Sequence, residues 1–287
     1  MVRRSVMFTP GDRPRMMRTA PESGADVIVF DLEDAVVPDR KADAREAVRE
    51  VLADPEFDPD CDVCLRVNPI GFGVNDDLEG VLTGDVRLDG VMLPKVESAD
   101  EVGALSSRLA SYDVDVSILA LVESARGVLE ADAIAAVSET DALIFGAEDF
   151  VADVGAIRTR TGAETRYAHQ RVVTAAAAFD VDAIDTVFTD LEDEDGLVEA
   201  TERAIGLGYD GKLAIHPDQV ATINEAFTPD PDDLEWARAV LEGEREADVE
   251  DRGVFAVDGE MIDAPLIAQA ERILERAGAA DVDDDAV

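Results

Sequence analysis

Lysine is nearly absent from this 287-residue chain. Three of its 25 basic residues are lysine (Lys41, Lys95 and Lys212) and the rest are arginine, against 66 acidic residues, for a formal net charge of −41. A surface that negative excludes a simple nucleic-acid or anionic-membrane binder. Histidine is as scarce, with only His169 and His216; no Ser-His-Asp arrangement is visible, and catalysis leans on histidine only if His216 acts alone. The two cysteines, Cys61 and Cys64, form a lone CxxC on an extended run, where that spacing sends the thiols to opposite faces. This argues against a zinc half-site or redox pair and for core filler beside a strand. No apolar run approaches transmembrane length. The N-terminal apolar stretch in MVRRSVMFTPGDRP is broken by Thr9 and Pro10 after four residues, too short for a signal-peptide core. The expectation is a cytoplasmic protein with no membrane partner. No apolar run is followed by GxGxxG, and the GFG at 71–73 is an isolated loop fragment, which disfavours an open dinucleotide-binding sheet.

What the chain does have is the composition of a folded protein: 47% hydrophobic residues, with 20 glycines and 12 prolines. The acids are spread between regular apolar runs rather than clustered as in an acidic interaction module. At molar salt the Debye length shrinks to about 3 Å, so a surface of this kind repels itself far less there than in dilute buffer. The composition therefore reads as adaptation to a salt-rich cytoplasm, a matter of solubility and not of reaction chemistry.

Eight short apolar runs are strand candidates: Ser5 to Thr9, Asp26 to Asp31, Asp62 to Val67, Gly90 to Leu93, Val116 to Val122, Ala142 to Phe145, Ala183 to Phe188 and Lys212 to Ile215. Between them lie segments with helical spacing, such as KADAREAVREVLAD, SADEVGALSSRLASY, VLEADAIAAVSE, TRYAHQRVVTAAAAFD and LVEATERAIGLG. Steady alternation of this kind predicts right-handed βα units, and eight of them fit an α/β fold of the closed (β/α)8, or TIM, barrel type. The barrel is expected over residues 1–228. Residues 229–287 are expected to form a C-terminal helical arm or lid, with a tight turn at the DG of VFAVDGEMID and a disordered acidic tail, DVDDDAV.

Active sites of such barrels gather at the C-terminal ends of the strands, so the polar residues after each run are the candidates. These are Thr9 to Arg13, Asp31, Glu33 and Asp34, Arg66 and Asn68, Lys95, Glu123, Glu148 and Asp149, and His216. Glu123 and Asp149 are one βα unit apart. Oxygen-only ligands with little histidine nearby suit Mg2+, which takes one or two carboxylates and leaves positions for water and substrate oxygens; the plainer reading is a pair of solvated strand-end acids. Arg66 has the geometry to clamp a substrate carboxylate or to pair with Asp31, Glu33 or Asp34, and the two are compatible. Lys95 invites a Schiff base, unless Glu97 merely neutralises it.

Read in order, the motifs RSVMFTPGDRPRM (4–16), VIVFDLEDAVVPDRKADAR (27–45), LRVNP (65–69), GVMLPKVES (90–98), LVESARGVLEA (121–131), FGAEDF (145–150), DGKLAIHPDQV (210–220) and VDGEMIDAP (257–265) span nearly the whole chain. They resemble the citrate lyase beta-subunit family of the HpcH/HpaI aldolase superfamily, which includes malyl-CoA, citramalyl-CoA and methylmalyl-CoA lyases. The resemblance implies a (β/α)8 barrel, as a homotrimer or dimer of trimers, with Mg2+ held by Glu123 and Asp149. It implies that Arg66 binds the carboxylate or oxo group of the small acid, with Glu33 and Asp34 supporting that arginine or the waters of the metal. It also implies that Asp263, on an arm crossing to the next subunit, does acid-base chemistry. The expected activity is a reversible cleavage of a 3-hydroxy-carboxyacyl-CoA thioester to a 2-oxo acid and an acyl-CoA. A malyl-CoA thioesterase using the same site, or a citryl thioester lyase subunit working on an acyl carrier protein, are the alternatives. Arg13, Arg15 and Lys212 are the candidates, by position, for gripping CoA.

Overall fold

The computed structural model describes residues 3–249 and 254–284. Eight parallel strands close into a barrel in sequence order: β1 (Ser5–Pro10), β2 (Val27–Asp31), β3 (Asp62–Arg66), β4 (Gly90–Leu93), β5 (Ser117–Val122), β6 (Thr140–Phe145), β7 (Asp182–Asp185) and β8 (Gly211–Ala214). β1 pairs with β8 to complete the ring. The helices are α1 (Pro14–Thr19), α2 (Lys41–Leu52), α3 (Val74–Val81), α4 (Ala99–Ala110), α5 (Ala125–Leu129), α6 (Ala131–Ala135), α7 (Ala147–Asp153), α8 (Arg166–Phe179), α9 (Glu194–Leu207), α10 (Asp218–Phe227), α11 (Pro231–Val249) and α12 (Ala264–Asp284). None of these is long and apolar enough to cross a membrane.

Strand alternation explains the core. Val6, Val27, Val29, Cys64, Met92, Leu119, Leu121, Ile144, Ile184 and Leu213 form one buried cluster, two residues apart wherever a strand supplies two, so they share one face of the sheet. The parity continues upward to Asp31, Arg66 and Glu123, the ends of the same series. Cys64 belongs to this core and Cys61, just before β3, is a free, partly buried thiol.

The opposite rim is held by aspartates at the strand starts. The carboxylates of Asp26, Asp89 and Asp210 accept backbone N–H groups of Arg4, Val63 and Ala183 at 2.7, 2.8 and 2.9 Å. Each acid precedes one strand and caps the one before it. Arg3 pairs there with Asp182 at 2.7 Å and with Asp141. Part of the acidic composition is thus structural, satisfying backbone donors at the barrel floor.

Three expectations are corrected. β7 stops at Asp185 rather than running to Phe188, because Thr186 turns its carbonyl and hydroxyl to other partners. The segment VLEADAIAAVSE is not one helix: it straddles the end of α5 and the whole of α6, with a break at Glu130. The tail is helical as far as Asp284, since after Gly278 the strong helix formers Ala279 and Ala280 follow with no stop signal; residues 285–287 lie outside the described residues.

The chain divides into two compact units, Arg3–Asn224 and one beginning at Glu225. Within the second, α11, α12 and a β-hairpin of β9 (Phe255–Val257) and β10 (Glu260–Ile262) share a core of Ala237, Val240, Phe255, Ile262 and Ala270. The hairpin turns at Asp258 and Gly259, both at positive φ (50° and 86°), as the DG dipeptide predicts.

Barrel closure depends on Gly211. A Cβ at this first residue of β8 would lie 1.8 Å from the carbonyl oxygen of Arg3, a backbone contact that cannot give way. Gly211→Ala is expected to lower the melting temperature by about 10 °C or to prevent folding, read by thermal denaturation.

Candidate active site

The strand-end carboxylates and the arginine assemble at the C-terminal mouth of the barrel. Asp31 and Arg66 are register partners on β2 and β3, and their side chains form a two-pronged pair: Nε to Oδ1 at 2.7 Å and Nη2 to Oδ2 at 2.6 Å. Both are buried. The same Asp31 carboxylate accepts the backbone N–H groups of Glu33 (2.7 Å) and Ala35 (3.0 Å), which folds the turn after β2. Arg66 Nη1 lies 3.2 Å from Glu33 Oε2, and the guanidinium stacks over Phe8 with its central carbon 4.4 Å from the ring centre. Burial opposes the charge of Arg66, but the Asp31 bonds and the nearby acids outweigh it and raise its pKa further. Arg66 is therefore a permanent, immobilised cation.

Lys41, the first residue of α2, holds the same turn from behind. Its ammonium donates to the carbonyls of Leu32 (2.9 Å) and Glu33 (3.1 Å) and to Asn68 Oδ1. Asn68 in turn donates to the fully buried Asp77. Lys95 pairs with Glu33 and lies 3.9 Å from Asp34, while Glu97 accepts from Ser124 instead; the neutralising acid is Glu33, not Glu97. Burial raises the pKa of Glu33, with Arg66 and Lys95 working against that rise. Lys95 is in the left-handed region at φ 55°. This unusual backbone turns its N–H onto Glu123 Oε1 at 2.8 Å.

Glu123, the residue after β5, is the most perturbed acid of the site. Burial, with repulsion from Asp149 and Glu33, pushes its pKa up to about 8. Asp149, third residue of α7, is exposed at the mouth. A buried carboxylate destabilised by two acidic neighbours is the environment that a hard divalent cation relieves. Among the described residues no three His, Cys, Asp or Glu side chains converge as a ready-made cage, so Glu123 and Asp149 would leave the remaining positions to water and ligand oxygens.

The other expected residues are placed as follows. Asp34 is exposed beside Lys95, and Arg13 and Arg15 are exposed at the start of α1. Asp263 is an exposed residue of the second unit, between β10 and α12. Lys212 is a correction: it is 1% exposed, donating to Asp185 Oδ2 at 2.6 Å and to the Thr186 carbonyl at 2.8 Å. Its side chain has the parity of the outer strand face, and an enclosed ammonium cannot grip a ligand phosphate. His169 of α8 completes that group, its Nε2 3.0 Å from Asp185 Oδ1. Sequence reading missed Asp31 as the organiser, Lys41 and Thr186. The period-two series Val27, Val29, Asp31 carried the signal for the first; the others depend on contacts invisible locally.

Fold and site together define a (β/α)8 barrel enzyme with an oxygen-donor, arginine-flanked centre. The chain belongs to the HpcH/HpaI aldolase/citrate lyase family, whose profile matches residues 4–217. It is 34% identical to the mitochondrial citramalyl-CoA lyase of Mus musculus over 96% of this chain and 86% of that one. It is 38% identical to a citrate lyase subunit beta-like protein of Deinococcus radiodurans over 94% and 96%. Among solved structures, CitE of Mycobacterium tuberculosis in complex with magnesium, acetoacetate and coenzyme A superposes with a TM-score of 0.81 at 36% identity, covering 96% of this chain and 98% of that one.

The raised pKa of Glu123 has a stability consequence of definite sign. The fold favours its neutral form, so its cost is absent below the ordinary value of 4.5 and grows as pH rises toward 8. In metal-free protein, Glu123→Gln is expected to raise the melting temperature by several degrees at pH 8.5 and to leave it unchanged at pH 4, measured with chelator present.

Proposed function

We propose that this protein is a Mg2+-dependent carbon–carbon lyase that cleaves, and in reverse forms, a 3-hydroxy-carboxyacyl-CoA such as malyl-CoA, methylmalyl-CoA or citramalyl-CoA. The products are a 2-oxo acid and an acyl-CoA. The observation that carries this reading is the convergence, at one barrel mouth, of an immobilised Arg66 with the buried, cation-seeking carboxylate of Glu123. The likeness to the mouse citramalyl-CoA lyase and the magnesium, acetoacetate and coenzyme A bound by the mycobacterial structure support it.

Glu123 and Asp149 would hold the ion. Bound there, Mg2+ supplies positive charge for the hydroxyl and carboxylate oxygens of the small-acid half of the substrate. Arg66 adds a second fixed positive charge for the oxygen that gains electron density as the carbon–carbon bond breaks, and because Asp31 and Glu33 already orient it, no reorganisation is needed during the reaction. Glu33 and Asp34 hold Arg66 and Lys95 and balance their charge. Asp263, exposed on the second unit, gives a proton to the acyl carbon in cleavage and removes it in synthesis. We place this aspartate at the site of a neighbouring copy in a homotrimer or dimer of trimers. Arg13 and Arg15, exposed beside the end of β1, are the cations offered to the CoA phosphates.

The test is incubation of purified protein in concentrated KCl with Mg2+ and malyl-CoA or citramalyl-CoA, following 2-oxo acid and free thiol in parallel. Oxo acid without thiol, abolished by chelator, is expected; thiol without oxo acid would make the protein a thioesterase. Arg66→Gln is expected to lower turnover by about 10²–10³-fold. Mixing inactive Arg66→Gln with inactive Asp263→Ala is expected to restore part of the activity if the site is shared between copies; no recovery would confine it to one chain.

A further inference from the structure

We propose that Thr186 is the positioning residue for Asp149, a role that rests on reading Asp149 as a metal ligand. The argument begins with Gly146. This residue precedes α7, where a serine, threonine or aspartate would ordinarily cap the first free N–H groups of the helix. No such side chain fits. A Cβ at position 146 would stand 2.6 Å from Glu123 Cβ and 2.7 Å from Glu123 Oε2, so the space that a cap needs is already occupied by the principal carboxylate of the site. α7 accordingly has no side-chain cap of its own.

Thr186, the residue after β7, supplies the missing acceptor. Its Oγ1 takes the N–H of Ala147, the first residue of α7, at 3.0 Å across 39 positions of sequence. Asp149 is two residues further along the same short helix, so the direction in which its carboxylate enters the mouth follows the anchoring of that first turn. Thr186 is itself fixed. It is buried, and its carbonyl accepts from Lys212 Nζ at 2.8 Å. Lys212 is locked against Asp185, whose second oxygen faces His169, and the backbone carbonyl of His169 accepts from Tyr209 at 3.2 Å. A polar cluster that touches no reacting atom thus runs from the outer face of β7 and β8 to the helix that carries Asp149.

The measurement is Mn2+ affinity of the full-length protein, by electron paramagnetic resonance or calorimetry, for wild type, Asp149→Asn, Thr186→Val and Thr186→Ser. Thr186→Val keeps the shape and loses the hydroxyl; it is expected to weaken Mn2+ binding by about tenfold, in the range for groups that orient metal ligands without touching the ion. Thr186→Ser is expected to bind within about twofold of wild type on the same principle. Weak binding by Asp149→Asn with wild-type affinity in Thr186→Val would overturn the positioning role while leaving Asp149 a ligand. Unchanged affinity in both would remove the ligand reading and the proposal with it. Equal losses in the valine and serine variants would show that the hydroxyl is not the cause and overturn the proposal. Should Thr186→Val not fold, Thr186→Ala takes its place, and failure of both to fold would assign Thr186 to the fold alone.

Discussion

The site hangs from one carboxylate. Asp31 accepts two hydrogen bonds from Arg66 and two from the backbone of the turn that follows it, which fills the accepting capacity of a buried carboxylate. Taking either charge away would strand the other in the interior, a loss of about 3–5 kcal/mol in comparable pairs. The pair joins β2 to β3, sets the plane of the guanidinium above Phe8 and fixes where Glu33 emerges. Glu33 then holds Lys95, and the Lys95 backbone holds Glu123. Four strand ends are in this way brought into one frame by a chain of contacts that begins at a single acid.

That frame explains how an extremely acidic chain holds a fixed cation, Arg66, among the carboxylates of its site. Two of its three lysines and several of its arginines are committed to buried or half-buried acids: Lys212 to Asp185, Lys95 to Glu33, Arg66 to Asp31, Arg45 to Asp77 and Arg4 to Asp26. Other aspartates are consumed by backbone donors at the barrel floor. The net charge of −41 is therefore chiefly a property of what remains outside, and it describes the solvent-facing shell rather than the interior, where Asp31, Asp77 and Asp185 are each paired with a cation.

The barrel was legible in the sequence because its signal is periodic. Eight apolar runs separated by helical spacing admit few other folds, and the period-two series ending in Asp31, Arg66 and Glu123 already places those three at one mouth. What could not be read is whatever depends on orientation about the strand axis or on contact at long range. Lys212 looks like any cation at the start of a strand, and only the folded chain shows that it is enclosed against Asp185 and Thr186. Thr186 falls within an apolar run that continues to Phe188, and nothing local says that its carbonyl and hydroxyl have been claimed by residues 26 and 39 positions away. Glycine at 146 looks like ordinary loop punctuation until the Glu123 side chain is seen beneath it.

The unequal burial of the lysines has a practical side. Lys212 is sealed in the interior, and Lys41 has its ammonium engaged by three acceptors. Lys95 alone among them is substantially open to solvent, its side chain 43% exposed at the mouth. In most proteins a reagent that acylates lysine side chains scatters over dozens of surface positions and reports on none of them. Here, of three lysines, it meets one that is substantially exposed, and that one stands among the residues of the candidate site, so the extent of labelling at Lys95 becomes a reading of whether the mouth of the barrel is occupied.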